Sequence, residues 1–187
     1  GKVLPNSPTQ NTGYEEKSGD REEHEFPALS LAKTKDISEV EDFIGANNWI
    51  AMLKMDGLTC RLTYEKGKLV RAETRGDGIE GEDITHNARV LPSIPQTITY
   101  KDTLVVDGEV ICDKSTFEQF KDEYANCRNF AAGSIRLLDS KESAKRGLTF
   151  VAWDVIGEMK VTPKPTLLTN KLSQLEHLNF HVVPFCC

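Results

Sequence analysis

Residues 53–57, LKMDG, place a lysine two residues before an aspartate-glycine pair. A lysine amine is a nucleophile only when it is neutral, so a catalytic lysine needs a desolvated site or nearby cations that lower its pKa. An Asp-Gly pair also predicts a two-residue β-hairpin turn, in which Lys54 would extend into solvent. The segment alone therefore leaves two interpretations open, a nucleophile and a turn.

Three further segments of the chain combine glycines with charged residues. Residues 75–78 read RGDG and are followed by GED at 81–83. Residues 107–109 read DGE inside an apolar run, and residues 128–136 read RNFAAGSIR. Together with the lysine segment they supply the nucleophilic, cationic and acidic groups that a phosphoryl-transfer site needs.

Taken singly, most charged residues in these segments have an ordinary structural interpretation. Arg75 and Asp77 could form an ion pair in a turn, which contributes little at a surface. Arg128 and Arg136 could be solvated helix charges. Glu109 differs, because a carboxylate inside an apolar strand is costly unless it is paired. Glu109 therefore indicates a functional site even when it is considered alone.

In their order and spacing, the four segments resemble the adenylation domain of bacterial NAD-dependent DNA ligases. That family combines a Lys-x-Asp-Gly motif, an Arg-Gly-Asp-Gly loop followed by Gly-Glu-Asp, a Gly-Glu strand and an Asn-x-Ala-Ala-Gly-Ser segment. The resemblance runs from about Leu4 to Pro184 and includes SPTQ at 7–10 and PALSL at 27–31. It implies an α+β fold, with an ATP-grasp-like nucleotidyltransferase core, a largely antiparallel sheet and flanking helices.

The resemblance also implies a reaction. The lysine amine attacks the α-phosphate of NAD, which forms a lysyl-AMP phosphoramide and releases nicotinamide mononucleotide. Lys54 would be the nucleophile and Asp56 would help to orient that end of the site. Because phosphoryl transfer depends on positioning and charge neutralisation, NAD and Mg²⁺ are the implied cofactors. The AMP would then pass to the 5′-phosphate of nicked double-stranded DNA, the implied partner.

Nucleotide-binding residues follow from the same resemblance. Ser30 and Leu31 would border the dinucleotide, and Arg75 would hold the adenylate. Glu109 would accept a hydrogen bond from a ribose hydroxyl. Trp153 corresponds to a family tyrosine that stacks on adenine, although a tryptophan in the run FVAWDV is also typical of a buried core.

Arg128 and Arg136 are the implied DNA-binding residues, and no metal-ligating side chain is implied. The sequence departs from the family pattern at Met52, where the family has a glutamate that reads the adenine amino group. Because a thioether is a poor acceptor, we expect weaker adenine recognition. The family's later Asp-Gly-x-Val-x-Lys strand and a further lysine have no counterpart after Trp153.

Two other functions fit parts of this pattern. A catalytically degenerate module that binds a nucleotide or a partner would also show Met52 and lack the later lysines. ATP-dependent RNA ligases and capping-type nucleotidyltransferases share Lys-x-Asp-Gly, although the RGDG loop and the AAGS segment count against them. The favoured prediction is a ligase adenylation domain, present as a fragment or a shortened homologue, that does not seal nicks by itself.

The elements expected to position these residues alternate short helices with strands. We predict strands at 49–55, 58–64, 68–74, 103–112 and 148–157, with a weaker one at 180–185. We predict helices at 36–47, 82–89, 113–124 and 166–178. Asp36 is expected to cap the first helix, whose apolar face would comprise Ile37, Val40, Phe43 and Ile44. The glycine-dense residues 75–83 are not expected to hold a strand.

Composition indicates a globular domain with little attraction of its own for nucleic acid. The 187 residues carry a formal net charge of −6, whereas proteins that bind nucleic acid alone present a basic face. Residues 1–25 are predicted to be a linker from an upstream nicotinamide-binding subdomain, and residues 26–187 an adenylation domain that ends before the later lysine motifs. Five cysteines without zinc-site spacing indicate reduced thiols. No apolar run is long enough to span a membrane, so a cytoplasmic location is expected. A monomer is expected as well.

Overall fold

The computed structural model describes residues 21–23, 34–46, 48–76, 80–161 and 167–186. Their strands are β1 (Arg21–Glu23), β2 (Ala51–Met52), β3 (Leu58–Glu65), β4 (Lys68–Thr74), β5 (Glu80–Glu82), β6 (Leu104–Ile111), β7 (Thr149–Ile156) and β8 (Phe185–Cys186). Their helices are α1 (Ile37–Ile44), α2 (Thr85–Ala88), α3 (Lys114–Phe117), α4 (Cys127–Ser134), α5 (Ser140–Ala144) and α6 (Leu168–His177). This mixture of helices and antiparallel strands confirms the predicted α+β class.

Four strands form the central sheet in the order β4-β3-β6-β7, and each neighbouring pair is antiparallel. They correspond to the strands predicted at 58–64, 68–74, 103–112 and 148–157, with bounds that agree to within one residue. Valine, leucine, threonine and aromatic residues dominate these segments, and such residues suit a pleated surface that is buried on at least one side. The prediction of a largely antiparallel sheet is confirmed.

One face of the central sheet carries the apolar core. The core includes, among others, Leu62, Tyr64, Val106, Val110, Phe150 and Ala152. Helix α2 packs at β4, α6 packs at β7, and α4 packs at β3 and β6. Because full burial of each large apolar side chain contributes about 1.5–3 kcal/mol, this face fixes the sheet in place and leaves the opposite face for other roles.

The helix predicted at 113–124 is wrong beyond Phe117, where α3 ends and the chain continues in turns. Its predicted apolar face is nevertheless present. The rings of Phe117, Phe120 and Tyr124 all pack on Phe130 of α4, with centroid separations of 4.8 to 6.3 Å. The aromatic cluster therefore anchors α4 without a long helix before it.

Helix α1 begins as predicted, since the side chain of Asp36 accepts a hydrogen bond from the backbone nitrogen of Ser38. It ends earlier than predicted, because Gly45 adopts a φ of 49° and terminates the helix after Ile44. Its apolar face is not buried by the described residues: Ile37 is 74% exposed and Phe43 is 86% exposed.

Three further segments differ from the prediction. The strand predicted at 49–55 is reduced to β2, which pairs with β8 and does not join the central sheet. The glycine-dense segment 75–83 contains β5, which pairs with β1, and α2 occupies only part of the helix predicted at 82–89. The polar segment that follows residue 125 contains α4, capped by the side chain of Asn126.

The final described segment returns to the central sheet. Helix α6 lies inside the helix predicted at 166–178, while the predicted strand after it is reduced to a parallel bridge between Ala152 and Val182, followed by β8. The backbone nitrogen of Ala152 donates to the oxygen of His181, and that of Val183 donates to the oxygen of Ala152, both at 2.8 Å. Since β8 pairs with β2, this segment helps to hold the chain just before Lys54.

Candidate functional site

The face of the central sheet opposite the apolar core carries polar side chains. Residues directly opposite one another on neighbouring strands point to the same face of a sheet. The register therefore aligns Thr59, Glu109 and Val151 across β3, β6 and β7. Arg75 extends this row, because its backbone nitrogen donates to the oxygen of Thr59 at 3.0 Å. Two predicted site residues, Arg75 and Glu109, thus lie in one row.

Glu109 is a buried carboxylate with built-in partners. Its side chain accepts a hydrogen bond from Thr59 Oγ1 at 3.0 Å. Burial raises the pKa of Glu109, while the bond from Thr59, the charges of Arg128 and Lys54, and a backbone hydrogen bond from Gly57 oppose that rise. The charges of both cations therefore act on the carboxylate of Glu109, which couples Lys54 and Arg128 to it electrostatically.

The position of Lys54 depends on Gly57. A Cβ atom at residue 57 would lie 2.1 Å from the carbonyl oxygen of Val110, so only glycine lets this segment approach β6 so closely. The hairpin interpretation of LKMDG is wrong, because β2 pairs with β8 and not with β3. Lys54 lies between β2 and β3, not within a strand as its sequence suggested, and its side chain is exposed. The described residues thus bring it to the site without desolvating it.

Asp56 and Arg128 form an ion pair across the site, with Nε of the arginine 2.9 Å from Oδ1 of the aspartate. Asn126 positions Arg128 by capping the first turn of α4, where its side chain accepts from the backbone nitrogen of Asn129 at 2.8 Å. Both members of the pair are exposed, and such pairs are worth little. Arg128 can therefore exchange Asp56 for an anionic ligand at small cost.

A β-bulge in β7 determines where Trp153 lies. The register of β6 with β7 shifts between Asp107 and Gly108. Ala152 and Val155 both belong to the apolar core although they are three residues apart, so the two residues between them face the polar side together. Trp153 is partly exposed and lies outside that core. The bulge thus presents an aromatic surface on the face that carries Glu109.

Comparison with known proteins identifies the family of the chain. The family model described as the NAD-dependent DNA ligase adenylation domain matches residues 18–186. The chain belongs to this family. The DNA ligases of Ruminiclostridium cellulolyticum and Lachnoclostridium phytofermentans are 40% and 39% identical to it over 99% and 98% of its length. The DNA ligase of Mycoplasma pneumoniae is 36% identical over 96%. The chain spans 29% of the length of each of these curated relatives.

The other residues of this adenylation domain that the sequence singled out lie either outside the described part of the chain or at the edge of the site. Ser30, Leu31 and Asp77 lie outside the described residues. Met52, which stands where the family pattern has a glutamate, lies in β2 opposite Phe185 and is 36% exposed. It is two residues before Lys54, so it lies at the edge of the same site.

Arg136 is not grouped with Glu109. Its guanidinium pairs with Glu82 and donates to the oxygen of Ala132 at 3.1 Å. It lies eight residues after Arg128, about 12 Å along the helix direction. The side chain of Asn87 fastens this end of α4 by donating to the oxygens of Ile135 and Leu137, at 2.6 and 2.7 Å. The two predicted DNA-binding arginines thus mark opposite ends of α4.

The described residues do not form a protein cage for Mg²⁺. Among them there is no group of three or more histidine, cysteine, aspartate or glutamate side chains that could hold a metal ion. Asp56, the carboxylate beside Lys54, already pairs with Arg128. Mg²⁺ in proteins often relies on substrate phosphates in addition to one or two carboxylates. The side-chain donors described on this face are not sufficient by themselves to bind it.

A second row of charged residues on the polar face was missed by the sequence analysis. The register aligns Glu73, Arg61, Asp107 and Asp154 across β4, β3, β6 and β7, next to the row that contains Glu109. The sequence did contain a signal for this row. Arg61 and Asp107 each lie two residues from a member of the first row, and residues two apart on a strand share a face of the sheet.

Within the described residues, no helix is long and apolar enough to cross a membrane.

Proposed function

We propose that this adenylation domain binds NAD on the polar face of its central sheet and transfers the AMP moiety to Lys54. The observation that carries the proposal is that the charges of Lys54 and Arg128 both act on the buried carboxylate of Glu109, while Arg128 pairs with Asp56 two residues after the lysine. A nucleophile, a cation for phosphate and an acceptor for a ribose hydroxyl are the three groups that adenylyl transfer from a dinucleotide requires.

Glu109 is proposed to accept a hydrogen bond from a ribose hydroxyl. An ionised carboxylate can accept about four hydrogen bonds, and the bonds from Thr59 and the backbone of Gly57 leave capacity for a ligand. Its place on a rigid central strand supports this role, because a group that must orient a substrate works best when its own position is fixed.

The base and phosphates are proposed to lie on either side of that ribose. Trp153 supplies an aromatic surface on the same face, suitable for stacking on adenine. Arg75, at the other end of the row, would hold the adenylate phosphate. Ser30 and Leu31 are proposed to border the dinucleotide, on the family resemblance alone.

The proposed chemical step is an in-line displacement at the α-phosphorus of NAD. A bond forms between Lys54 Nζ and phosphorus, and the bond from phosphorus to the bridging oxygen breaks. Nicotinamide mononucleotide leaves with that oxygen, and the amine proton passes to solvent. Arg128 would leave Asp56 to neutralise charge on the phosphates, since an exposed ion pair is cheap to exchange.

The wider context is also proposed. We infer that the fold is the ATP-grasp-like nucleotidyltransferase core, with a linker over residues 1–25 and the adenylation domain over 26–187. Nicked DNA would contact Arg128 and Arg136, and sealing would require more than these residues, because the relatives named DNA ligase are more than three times as long. We expect a cytoplasmic monomer.

The test is intact mass spectrometry after incubation with NAD and a divalent cation. We expect a mass increase of one adenylyl group, which peptide mapping assigns to Lys54. Lys54→Arg should abolish the increase, while Lys121→Arg, at an exposed lysine paired with Glu118 on the surface, should not. An unmodified wild-type protein, or an adduct that persists in Lys54→Arg, would contradict the proposal.

A further inference from the structure

Arg61 and Asp107 form a buried two-point ion pair in the second row of the polar face. Nε of Arg61 lies 2.7 Å from Oδ1 of Asp107, and Nη2 lies 2.8 Å from Oδ2. Their side chains are only 7% and 5% exposed. Geometry of this kind fixes both side chains, because the planar guanidinium matches the two carboxylate oxygens.

Carboxylates flank this pair on both sides. Glu73 lies opposite Arg61 on β4, with an oxygen 2.8 Å from Nη2 of Arg71. Asp154 lies opposite Asp107 on β7. Burial raises the pKa of Asp154, as does the charge of Asp107, while Arg61 and Lys171 lower it. The row thus places three acids around one arginine, and that arginine is central to its charge balance.

The row is close enough to influence Glu109. Asp107 precedes Glu109 by two residues on the same strand and face, a separation of about 7 Å. Two like charges at that distance repel appreciably where solvent is largely excluded. The guanidinium of Arg61 is held against Asp107 by two hydrogen bonds, so its positive charge offsets that of Asp107 at the position of Glu109.

We propose that Arg61 is a positioning residue of the nucleotide site: by holding Asp107 in a two-point ion pair, it shields Glu109 from the acidic row and keeps that carboxylate ionised for a nucleotide hydroxyl. The proposal rests on the proposed function, because it assigns Glu109 to a ribose. Arg61 touches no substrate in this scheme and acts through Asp107 and Glu109.

The charged groups that face Glu109 come from every element around it. They are Arg61 on β3, Glu73 on β4, Arg75 after β4, Asp107 on β6, Asp154 on β7, Arg128 on α4, and Lys54 and Asp56 in the segment before β3. Lys54, Arg75 and Arg128 are the same in all variants compared below. Differences between those variants therefore report the second row alone.

The test is the titration of Glu109, followed by carbon-13 NMR of the glutamate carboxyl groups, together with AMP binding measured by calorimetry across the same pH range. Arg61→Met exposes Glu109 to Asp107 and should move its titration to higher pH. Asp107→Asn leaves Arg61 in excess and should move it to lower pH. At the wild-type midpoint, the two variants should differ in AMP affinity by about tenfold. A merely structural role would loosen the site in both variants and shift them in the same direction.

Two further variants complete the experiment. Arg71→Met removes an equal charge about 16 Å from Glu109 by strand spacing and should leave its titration unchanged. Arg61→Met combined with Asp107→Leu removes both charges, and proteins often tolerate such a replacement of a buried ion pair by apolar side chains. This double variant should restore the wild-type titration midpoint of Glu109. It keeps the test informative if Arg61→Met alone folds poorly. Equal titrations in wild type and Asp107→Asn would overturn the shielding role. If the midpoints shift as expected but AMP never binds, the proposed nucleotide site fails and the electrostatic coupling stands.

Discussion

Lys54 and Glu109 come close enough in the fold for the lysine charge to lower the pKa of the carboxylate. The two residues come from different parts of the chain, and Gly57 brings them together by allowing residues 53–57 to touch β6. The prediction that they line one cleft requires them to be close together, so this proximity supports the proposed adenylation site.

Glu109→Gln should stabilise the fold at neutral pH while weakening nucleotide binding. The pKa of Glu109 is higher in the folded protein than in the unfolded chain. Above the pKa of the unfolded chain, the cost of ionising this side chain in the folded state therefore opposes folding. The variant should gain unfolding free energy near pH 8 and none near pH 4. Urea unfolding at both pH values checks this, with AMP calorimetry alongside. Loss of stability at pH 8 would contradict it.

Gly57→Ala should destabilise the protein and disrupt the site together. The added Cβ would lie 2.1 Å from the oxygen of Val110, and backbone cannot yield as a flexible side chain can. Overpacking of this kind costs about 1–3 kcal/mol. Gly133→Ala is the matched comparison, since its Cβ would meet only the ring of Tyr124 at 2.9 Å. Thermal unfolding and adenylation assays should rank Gly57→Ala as the more damaging change.

The central sheet was predictable because its strands follow local rules. Runs such as LTFVAWDVIG bury one or both faces and are bounded by glycine or charged residues, so their bounds agree to within one residue. It was also foreseeable that Glu109 has polar partners, since a carboxylate buried in an apolar strand is costly without them, and Thr59 is one. These inferences depend on neighbours in sequence.

What could not be predicted depends on partners that are distant in sequence. Residue pairs such as Arg61 with Asp107 exist only through the strand register, and the bulge that turns Trp153 toward the polar face is a property of two strands together. The strand predicted at 49–55 was overestimated because only two of its residues find a strand partner, β8 at the far end of the described chain, and Trp49, Met52 and Leu53 stay exposed. No local pattern records such pairings.

Met52→Glu should sharpen the preference for adenine. Met52 lies at the edge of the site, 36% exposed and two residues before Lys54, and its thioether is a poor acceptor for an exocyclic amine. One added hydrogen bond is worth about 1 kcal/mol, or roughly fivefold in affinity. Calorimetry with AMP and inosine monophosphate measures the ratio. An unchanged ratio would show that the adenine edge is recognised elsewhere.

Cys112 should resist alkylation under conditions that modify Cys186. Burial is the main cause that raises the pKa of the Cys112 thiol, to about 12, and a hydrogen bond with the Cys127 thiol contributes. Only the thiolate reacts, so a small fraction is reactive at pH 8. Cys186 is exposed. Peptide mapping after a timed iodoacetamide pulse should find Cys186 modified first, and early modification of Cys112 in folded protein would contradict the expectation.

Arg128→Met should separate catalysis from stability. The ion pair with Asp56 is exposed, so its loss should cost less than about 1 kcal/mol in unfolding free energy. Adenylation should fall much further, by about 10²–10³ in rate, if Arg128 neutralises phosphate charge in the transition state. Lys145→Met is the control, because it breaks a comparable exposed pair, with Glu142, on the surface helix α5. Adduct formation timed by mass spectrometry, with thermal unfolding in parallel, provides both readouts. Equal adenylation rates in the Arg128 variant and the wild type would show that the arginine serves only DNA contact or structure. A large fall in unfolding free energy would show instead that its pairing with Asp56 holds α4 in place.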